Sequence, residues 1–391
     1  MLKKAAVITA TRAEYGILKN VIDKIEKSEL LELCLLVTGT HLVPEYGLTV
    51  KEIEQDGYPI AEKIEVLLAS DTSVSVSKTM GLTMFSFAEV FERHKPDCLV
   101  VLGDRYEILA VCCAAMNAGI PIVHISGGET TQGAIDESIR HCITKMSYLH
   151  FPACETYRKR IIQLGEEPAR VYNYGDVGVE AARMIPSMTK QELEKSIGFL
   201  LDRPYMSVTF HPVTLEAGEA EQQMQELLGA LQYFENMKFI FTKANADAGG
   251  RKINAIIDKF VSEHDNCVVF ASLGMKRYIN LLRHSDGIIG NSSSGIVEAP
   301  TIGIPTVNIG NRQKGRLQAD SIINCAPQEL EIIEAVKTSQ TAEFRERARH
   351  TVNPYGDGNT SERIVQTITE YLYHKSVSLE KRFYDIDFGE E

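Results

Sequence analysis

Three carboxylates in the first half of the chain, Asp104, Glu129 and Asp136, lie in or just beyond loops that follow short apolar runs. Asp104 comes directly after the apolar run 98–102, Glu129 follows two glycines, and Asp136 opens a helical stretch. Carboxylates that face one cleft raise each other's pKa values, which suits general acid–base catalysis at neutral pH. The alternative for Asp104 and Asp136 is helix N-capping, which aspartate does well.

Further charged residues follow Asp136 on the same predicted helix. Arg140 lies one turn after Asp136, and His141 lies one turn after Glu137, so both pairs can meet on one helix face. We interpret these residues as a surface ion-pair face.

A serine-rich segment in the second half, Gly-Asn-Ser-Ser-Ser-Gly at 290–295, follows one predicted strand and opens a predicted helix. Backbone N–H groups at a helix N-terminus, together with serine hydroxyls, are suited to binding a diphosphate. Glu298, about one and a half turns into that helix, could accept hydrogen bonds from ribose hydroxyls. The candidate ligands in this segment and in the loop after it are Ser292, Ser293, Glu298, Arg312 and Gln313.

Two further candidates, Arg12 and His211, also follow predicted strands. Arg12 either pairs with a phosphate or caps and solvates its helix, and His211 either contacts a phosphate, acts as an acid or is structural. The segment around Arg12 lacks G-x-G-x-x-G and Walker A sequences, which disfavours dinucleotide and P-loop chemistry. Because no Cys/His cluster has metal-ligand spacing, we predict no zinc site.

The elements that must position these residues alternate between strand and helix, which predicts parallel, doubly wound sheets. The alternation restarts after about residue 180, so we predict two Rossmann-like domains, 1–178 and 179–363, with a cleft between them. Ligands of such sheets bind beyond the carboxyl ends of the strands. The predicted strands are 5–9, 31–38, 98–102, 122–125, 205–210, 239–242, 267–270, 287–289 and 306–309, and the predicted helices are 14–26, 85–94, 106–117, 136–148, 219–234, 251–263 and 275–284.

Charge and cysteine usage restrict the class of protein. A net charge of −12 over 391 residues argues against a nucleic-acid partner, although a nucleotide ligand needs only local donors. The eight cysteines form no C-x-x-C pair and are typical of thiols in a reducing compartment. With neither a signal-peptide pattern nor a run long enough to span a membrane, the chain is predicted to be cytoplasmic.

The motifs, taken in order, resemble those of the hydrolysing UDP-N-acetylglucosamine 2-epimerases, which begin sialic-acid-type biosynthesis. The resemblance covers nearly the whole chain. It implies a GT-B arrangement of the two domains, a C-terminal helix at about 364–391 that packs back on the first domain, no cofactor, and a UDP-amino sugar as substrate. We also expect a homodimer or homotetramer. The matching segments are 11–16, 37–41, 103–107, 127–129, 136–141, 211–213, 290–295 and 311–316.

The resemblance also implies roles for individual residues. The family's catalytic acids match Asp104 and Asp136, and its nucleotide-binding positions match His211, Ser292, Ser293, Glu298 and Arg312. Many members read His-Ile-Glu-Gly-Gly-Glu and assign the first glutamate to catalysis, whereas this chain has Ser126 there. Either Glu129 takes over the proton transfer or the chemistry is shared differently. The predicted catalytic set is Asp104, Glu129, Asp136 and His211, and the predicted binding set is Arg12, Ser292, Ser293, Glu298, Arg312 and Gln313.

The implied reaction eliminates UDP across C1 and C2 to give a glycal, which is hydrated to N-acetylmannosamine. One alternative is the same chemistry on UDP-2,4-diacetamido-2,4,6-trideoxyglucose, on the way to legionaminic acid. Others are a non-hydrolysing epimerase, a GT-B glycosyltransferase and a catalytically silent UDP-sugar-binding protein. Arg105 departs from the Gly-Asp-Thr pattern associated with non-hydrolysing enzymes, which favours the hydrolysing branch.

Overall fold

The strands form two parallel sheets, one in each half of the chain. The computed structural model describes residues 2–68, 70, 72–131, 135–213, 218–244, 249–375 and 377–387. Within these ranges each sheet has six strands, in the orders β3-β2-β1-β4-β5-β6 and β12-β11-β10-β7-β8-β9. The strands are β1 (Lys3–Thr9), β2 (Leu31–Thr38), β3 (Ile60–Ile64), β4 (Cys98–Leu102), β5 (Ile122–Ile125), β6 (Leu149–Phe151), β7 (Tyr205–Thr209), β8 (Lys238–Thr242), β9 (Cys267–Phe270), β10 (Ile288–Gly290), β11 (Thr306–Ile309) and β12 (Ile322–Cys325).

Helices connect the strands and cover the sheets. The α-helices are α1 (Arg12–Glu26), α2 (Val50–Gln55), α3 (Ser73–His94), α4 (Tyr106–Asn117), α5 (Asp136–Met146), α6 (Glu155–Gln163), α7 (Val177–Met184), α8 (Lys190–Ile197), α9 (Ala220–Gln232), α10 (Gly250–Ser262), α11 (Gly274–His284), α12 (Ser294–Val297), α13 (Ala299–Ile302), α14 (Glu329–Ser339), α15 (Ala342–Arg349) and α16 (Ser361–His374). In the described ranges, no helix combines the length and apolar content that a bilayer span requires.

The strand order of each sheet reverses at its centre, and this fixes where a ligand can bind. In the first sheet β1 lies between β2 and β4, and in the second β7 lies between β10 and β8. Connections leave a central pair of strands in opposite directions, so a crevice opens beyond their carboxyl ends. Arg12 and Asp104 follow β1 and β4, while His211 and the serine-rich segment follow β7 and β10. Both sheets therefore present predicted site residues at their crevices.

The C-terminal helix α16 packs against the first half of the chain, since its apolar face joins the core that contains β1, β2 and α1. It is shorter than the predicted 364–391 and ends at His374. Lys375 and residues 377–387 have no regular secondary structure, and Tyr384 donates its backbone N–H to the carbonyl of Gly165 (3.0 Å). These contacts with the first half replace the intrahelical bonds of a longer helix.

The chain passes between the two halves at two places that lie side by side. The first passage enters α7, which contacts both α1 and α13, and the predicted boundary at 178/179 falls inside this helix. The second precedes α16. The N–H of Asp176 donates to the carbonyl of Tyr355 (2.8 Å), and a Cβ on Gly356 would lie only 2.9 Å from the Cα of Gly175. The two passages are thus in direct backbone contact.

Candidate active site

The two crevices face each other and form two adjoining cavities of about 170 and 190 Å³. We name the first the serine-loop cavity, because Ser292, Ser293 and Ser294 line it together with Arg12 and His211. We name the second the acid cavity. Its lining includes Asp104, Glu129, Asp136, Arg140, Asp176 and Arg316. Ser293, Glu298 and Arg312 line both cavities, which makes them continuous.

Asp104 is held in the acid cavity by an ion pair between its Oδ2 and the Nη2 of Arg140. It does not cap α4, because the N-cap residue of that helix is Arg105 and no side chain caps it. Burial acts to raise the pKa of Asp104, but the positive charges of Arg140, Arg316 and Arg312 outweigh it and shift the pKa downward. Asp104 is therefore a carboxylate at neutral pH.

Arg140 is the organising cation of the acid cavity, and its interpretation as part of a surface ion-pair face is wrong. Its side chain is only 1% exposed. Besides Asp104, it donates to the carbonyl of Glu129 (3.0 Å), the hydroxyl of Thr131 (2.8 Å) and the carboxylate of Glu137 (3.3 Å). A buried guanidinium requires such partners, and its planar fork can serve several of them at once. Arg140 therefore fixes Asp104 and Glu129 relative to each other.

Glu129 connects the two halves of the chain. Its Oε2 lies 2.5 Å from the Nη2 of Arg316, and both side chains are nearly buried, at 5% and 11% exposure. The loop that carries Arg316 is anchored nearby, because the backbone N–H of Leu317 donates to the hydroxyl of Tyr157 (3.1 Å). Sequence reasoning missed the role of Arg316, although the residue lies in a segment that carried the family resemblance.

Asp136 lines the acid cavity as the first residue of α5. The N-cap residue is Ile135, and no side chain caps the helix, so capping does not explain this aspartate. The structure therefore brings Asp104, Glu129 and Asp136 to one cavity, as their positions after neighbouring strands predicted.

The serine-rich segment forms a tight loop held to β7. Gly290 has a φ of 132°, and a Cβ at this position would overlap the carbonyl oxygen of Thr209, so only glycine fits. The buried amide of Asn291 accepts from the N–H of His211 (2.7 Å) and donates to its carbonyl (2.8 Å). Asn291, which was not among the predicted site residues, thus places His211 beside the serine hydroxyls.

The helix predicted after the serine loop is broken into α12 and α13, each of four residues. Pro300 lies in the first turn of α13, where its ring prevents a continuous helix because it lacks an N–H and crowds the preceding turn. Glu298 therefore lies at the junction between the two short helices rather than one and a half turns into a single one. The serine loop retains hydroxyl donors, but a long helix N-terminus does not support it.

Glu298 is 6% exposed, and its Oε2 has no hydrogen-bond partner among the described residues. Burial, reinforced by the negative charge of Asp176, raises its pKa from 4.5 to about 7. A carboxyl whose pKa is higher in the folded than in the unfolded state destabilises the fold progressively as pH rises from about 4.5 to about 7.

Glu298→Gln should therefore raise Tm at pH 8 by about 5 °C and change it little at pH 4.5, because the neutral amide is not penalised by burial. Differential scanning fluorimetry across this pH range measures the effect. Glu343→Gln is the matched control, since that side chain is 89% exposed and should shift Tm at neither pH. Equal Tm values for Glu298→Gln and wild type at pH 8 would contradict the assignment of an unpaired buried carboxyl.

The remaining predicted residues differ in their placement. Arg12 donates through Nη1 to the carbonyl of Ala271 in the second half, while Thr11, with Glu14, caps α1. Arg312 lines both cavities and donates to the carbonyl of Asn291 (3.1 Å). Gln313 is 1% exposed, also donates to that carbonyl (2.8 Å), and lines neither cavity. The structure thus brings Arg12 and Arg312, but not Gln313, to the cleft wall.

His211 lies in the serine-loop cavity and does not line the acid cavity with the other predicted catalytic residues. His211 therefore lies with the serine hydroxyls rather than with Asp104, Glu129 and Asp136. Over the described ranges, no group of three or more His, Cys, Asp or Glu side chains is arranged to hold a metal ion.

Two Rossmann-like sheets that face each other across a continuous ligand cleft define a two-domain α/β protein of the GT-B type. The solved structure of UDP-GlcNAc 2-epimerase from Neisseria meningitidis bound to UDP-GlcNAc has this fold. It aligns with a TM-score of 0.80 at 21% identity, over 94% of this chain and 100% of that one. The predicted fold class is confirmed.

The sequence matches the family model described as UDP-N-acetylglucosamine 2-epimerase over residues 23–369, and the chain belongs to this family. It is 40% identical to the GDP/UDP-N,N'-diacetylbacillosamine 2-epimerase (hydrolyzing) of Campylobacter jejuni, over 98% of this chain and 99% of that protein. It is 38% identical to the polysialic acid biosynthesis protein P7 of Escherichia coli, over 98% of each chain. The family resemblance seen in the motifs is confirmed.

Proposed function

We propose that this protein is a hydrolysing 2-epimerase that converts UDP-N-acetylglucosamine and water to N-acetylmannosamine and UDP. The observation that carries the proposal is the continuity of the two cavities. Carboxylates that can move a proton at the sugar open directly onto hydroxyl and guanidinium donors that can hold a departing diphosphate. The two relatives support the hydrolysing branch and a sialic-type pathway through their names.

In the first step, the Asp104 carboxylate removes the proton from C2. The C2–H electron pair forms the C1=C2 double bond, and the C1–O bond breaks with its electrons leaving on UDP. A positioned base of this kind typically raises the reaction rate by a factor of about 10² to 10⁴. Arg312 and the hydroxyls of Ser292 and Ser293 stabilise the charge on the diphosphate, and preorganised donors of this kind are most effective where water is excluded.

In the second step, water adds its oxygen to C1 of the glycal, and C2 receives a proton on the face opposite to the one that lost it. Asp136 and Glu129 are the proposed groups for handling the water proton, since both line the acid cavity. The product is the free 2-epimerised sugar, and no bond to UDP is remade.

A second candidate substrate is UDP-N,N'-diacetylbacillosamine, the 2,4-diacetamido sugar. The observation that favours it is the name of the Campylobacter jejuni relative. The C2 chemistry would be unchanged, because the acetamido group at C4 does not take part in the elimination. Assaying both UDP-sugars under the same conditions decides between them.

Proton NMR of each reaction in D₂O tests the proposal. We expect free UDP and a free 2-epimer with deuterium at C2. A 2-epimer that still carries UDP would show a non-hydrolysing epimerase, and transfer of the sugar to an acceptor without deuterium at C2 would show a glycosyltransferase. Binding of both UDP-sugars without any turnover would show a silent binding protein. Light scattering of the purified protein tests the predicted homodimer or homotetramer.

A further inference from the structure

Ser126, at the end of β5, adopts a left-handed backbone conformation with a φ of 60°. Its Oγ donates to the Oδ2 of Asp176 at 3.4 Å, although the two residues are far apart in the chain. Asp176 is 7% exposed, lies at the first passage between the halves, and lines the acid cavity beside Asp104 and Glu129. A further carboxyl, beside those predicted to be catalytic, therefore faces the space assigned to the sugar.

We propose that Asp176 is a further catalytic residue: it contacts the sugar and delivers the proton to C2 of the glycal. This inference rests on the proposed function. It also explains how a serine can occupy position 126, where many members of the family have a glutamate. Asp176, in the connection between the two halves, supplies the missing carboxyl and hydrogen-bonds to Ser126.

The two oxygens of Asp176 have different surroundings. Oδ1 accepts the backbone N–H of Gly178 (2.7 Å) and caps α7, whereas Oδ2 is directed to Ser126. Gly178 makes room for this arrangement, since a Cβ there would lie 2.8 Å from both Asp176 Oδ1 and Glu298 Oε1. One oxygen is thus fixed by the backbone, which orients the other toward the cavity.

The charges around Asp176 suit a proton donor. Burial, followed by the negative charge of Glu129, raises its pKa to about 6, whereas the arginines hold the pKa of Asp104 below its usual range. Two carboxyls whose pKa values are pushed apart divide naturally into an acid and a base. Inversion at C2 also requires two proton carriers, because one proton leaves from one face and another arrives on the opposite face.

The Asp176 carboxyl transfers its proton to C2 of the glycal and becomes a carboxylate, while a water oxygen bonds to C1. The water proton passes to a neighbouring carboxylate of the acid cavity. The C1=C2 electron pair forms the new C2–H bond. Exchange with solvent then reprotonates Asp176 and removes both the proton that Asp104 took in the elimination and the water proton held by the neighbouring carboxylate.

The competing explanation is that Asp176 only caps α7. Asparagine and serine are also good N-caps, so Asp176→Asn and Asp176→Ser keep the cap but remove the proton. We expect both variants to form the 2-epimer at least about 100-fold more slowly than wild type. UDP should still be released, and the unsaturated sugar should accumulate, visible by its vinyl proton in NMR.

Two further measurements and a control complete the test. Calorimetric UDP affinity should stay within about threefold of wild type, and Tm should fall by no more than about 2 °C. Asp97→Asn, at the opposite end of β4, is the control for an aspartate outside the cleft.

Two results would overturn the proposal. One is 2-epimer formation within about threefold of wild type in either variant. The other is a fall in activity in both variants that a matching fall in UDP affinity or in Tm accounts for. The wild-type assay separates this inference from the proposed function. If wild type turns over neither UDP-sugar, the proposed function fails. If wild type is active and the Asp176 variants remain active, only the role of Asp176 fails.

Discussion

Asp104→Asn is expected to lower kcat by about 10³-fold while UDP affinity stays within about threefold of wild type. The amide keeps the size of the side chain and can still accept from Arg140, but it cannot remove a proton from C2. Asp104 is a stronger candidate for the base than Asp176, because the surrounding arginines keep the Asp104 carboxylate ionised. Steady-state kinetics on the preferred UDP-sugar and calorimetry with UDP measure the two quantities.

The matched control is Asp97→Asn. Asp97 precedes β4 and Asp104 follows it. Asp97 pairs with Lys3 (2.9 Å) and accepts the backbone N–H of Lys4 (2.8 Å), away from the cleft. This variant should retain wild-type kcat. If Asp104→Asn were also near wild type, Asp104 would be structural and the base would have to be another carboxyl of the acid cavity.

Arg140→Ala is expected to destabilise the protein by about 3 kcal/mol, or about 4 °C in Tm, and to abolish measurable turnover. Removal of the guanidinium leaves the Asp104 carboxylate and the Glu129 carbonyl without their shared donor. Removing one partner of a buried ion pair costs more than the pair itself contributes, because the remaining charge is buried without compensation. Chemical denaturation and thermal melts measure the loss.

The double variant Asp104→Asn/Arg140→Ala separates stability from catalysis. It should recover much of the lost stability, since the Asp104 carboxylate that loses its ion-pair partner is removed as well, but none of the activity. Arg140→Lys should fall between wild type and alanine in stability, because an ammonium keeps the charge but cannot span Asp104, Glu129 and Thr131 as a planar fork does. Strictly additive stability changes in the double variant would contradict the coupling between Asp104 and Arg140.

The central strands could be predicted from the sequence because parallel strands covered on both faces are continuous apolar runs, as in β1 and β4. The missed strands lie at sheet edges. β3 reads Ile-Ala-Glu-Lys-Ile and is half-exposed, and β6 has only three residues. Such segments lack a periodic signal, and pairing with a neighbouring strand, rather than local preference, makes them strands.

The carboxylates of the site could also be predicted, because the position of Asp104 after a buried strand already places it at the crevice. The residues that hold them could not. Arg140 has the spacing of an ordinary surface ion pair, and only the packing of α5 shows that it is buried. Arg316 and Asp176 reach the acid cavity from the other half and from the connection, through contacts between segments distant in the chain.

The paired passages between the halves constrain how the cleft can open. Because the two passages are in backbone contact through Asp176 and Tyr355, we expect the halves to rotate about one axis there rather than to slide or twist independently. The opening of the cleft can then be described by one angle between the two halves. Glu129 and Arg316 belong to different halves, so an opening that separates them must break their buried ion pair. One distance between two labels, one on each half, would report the whole motion.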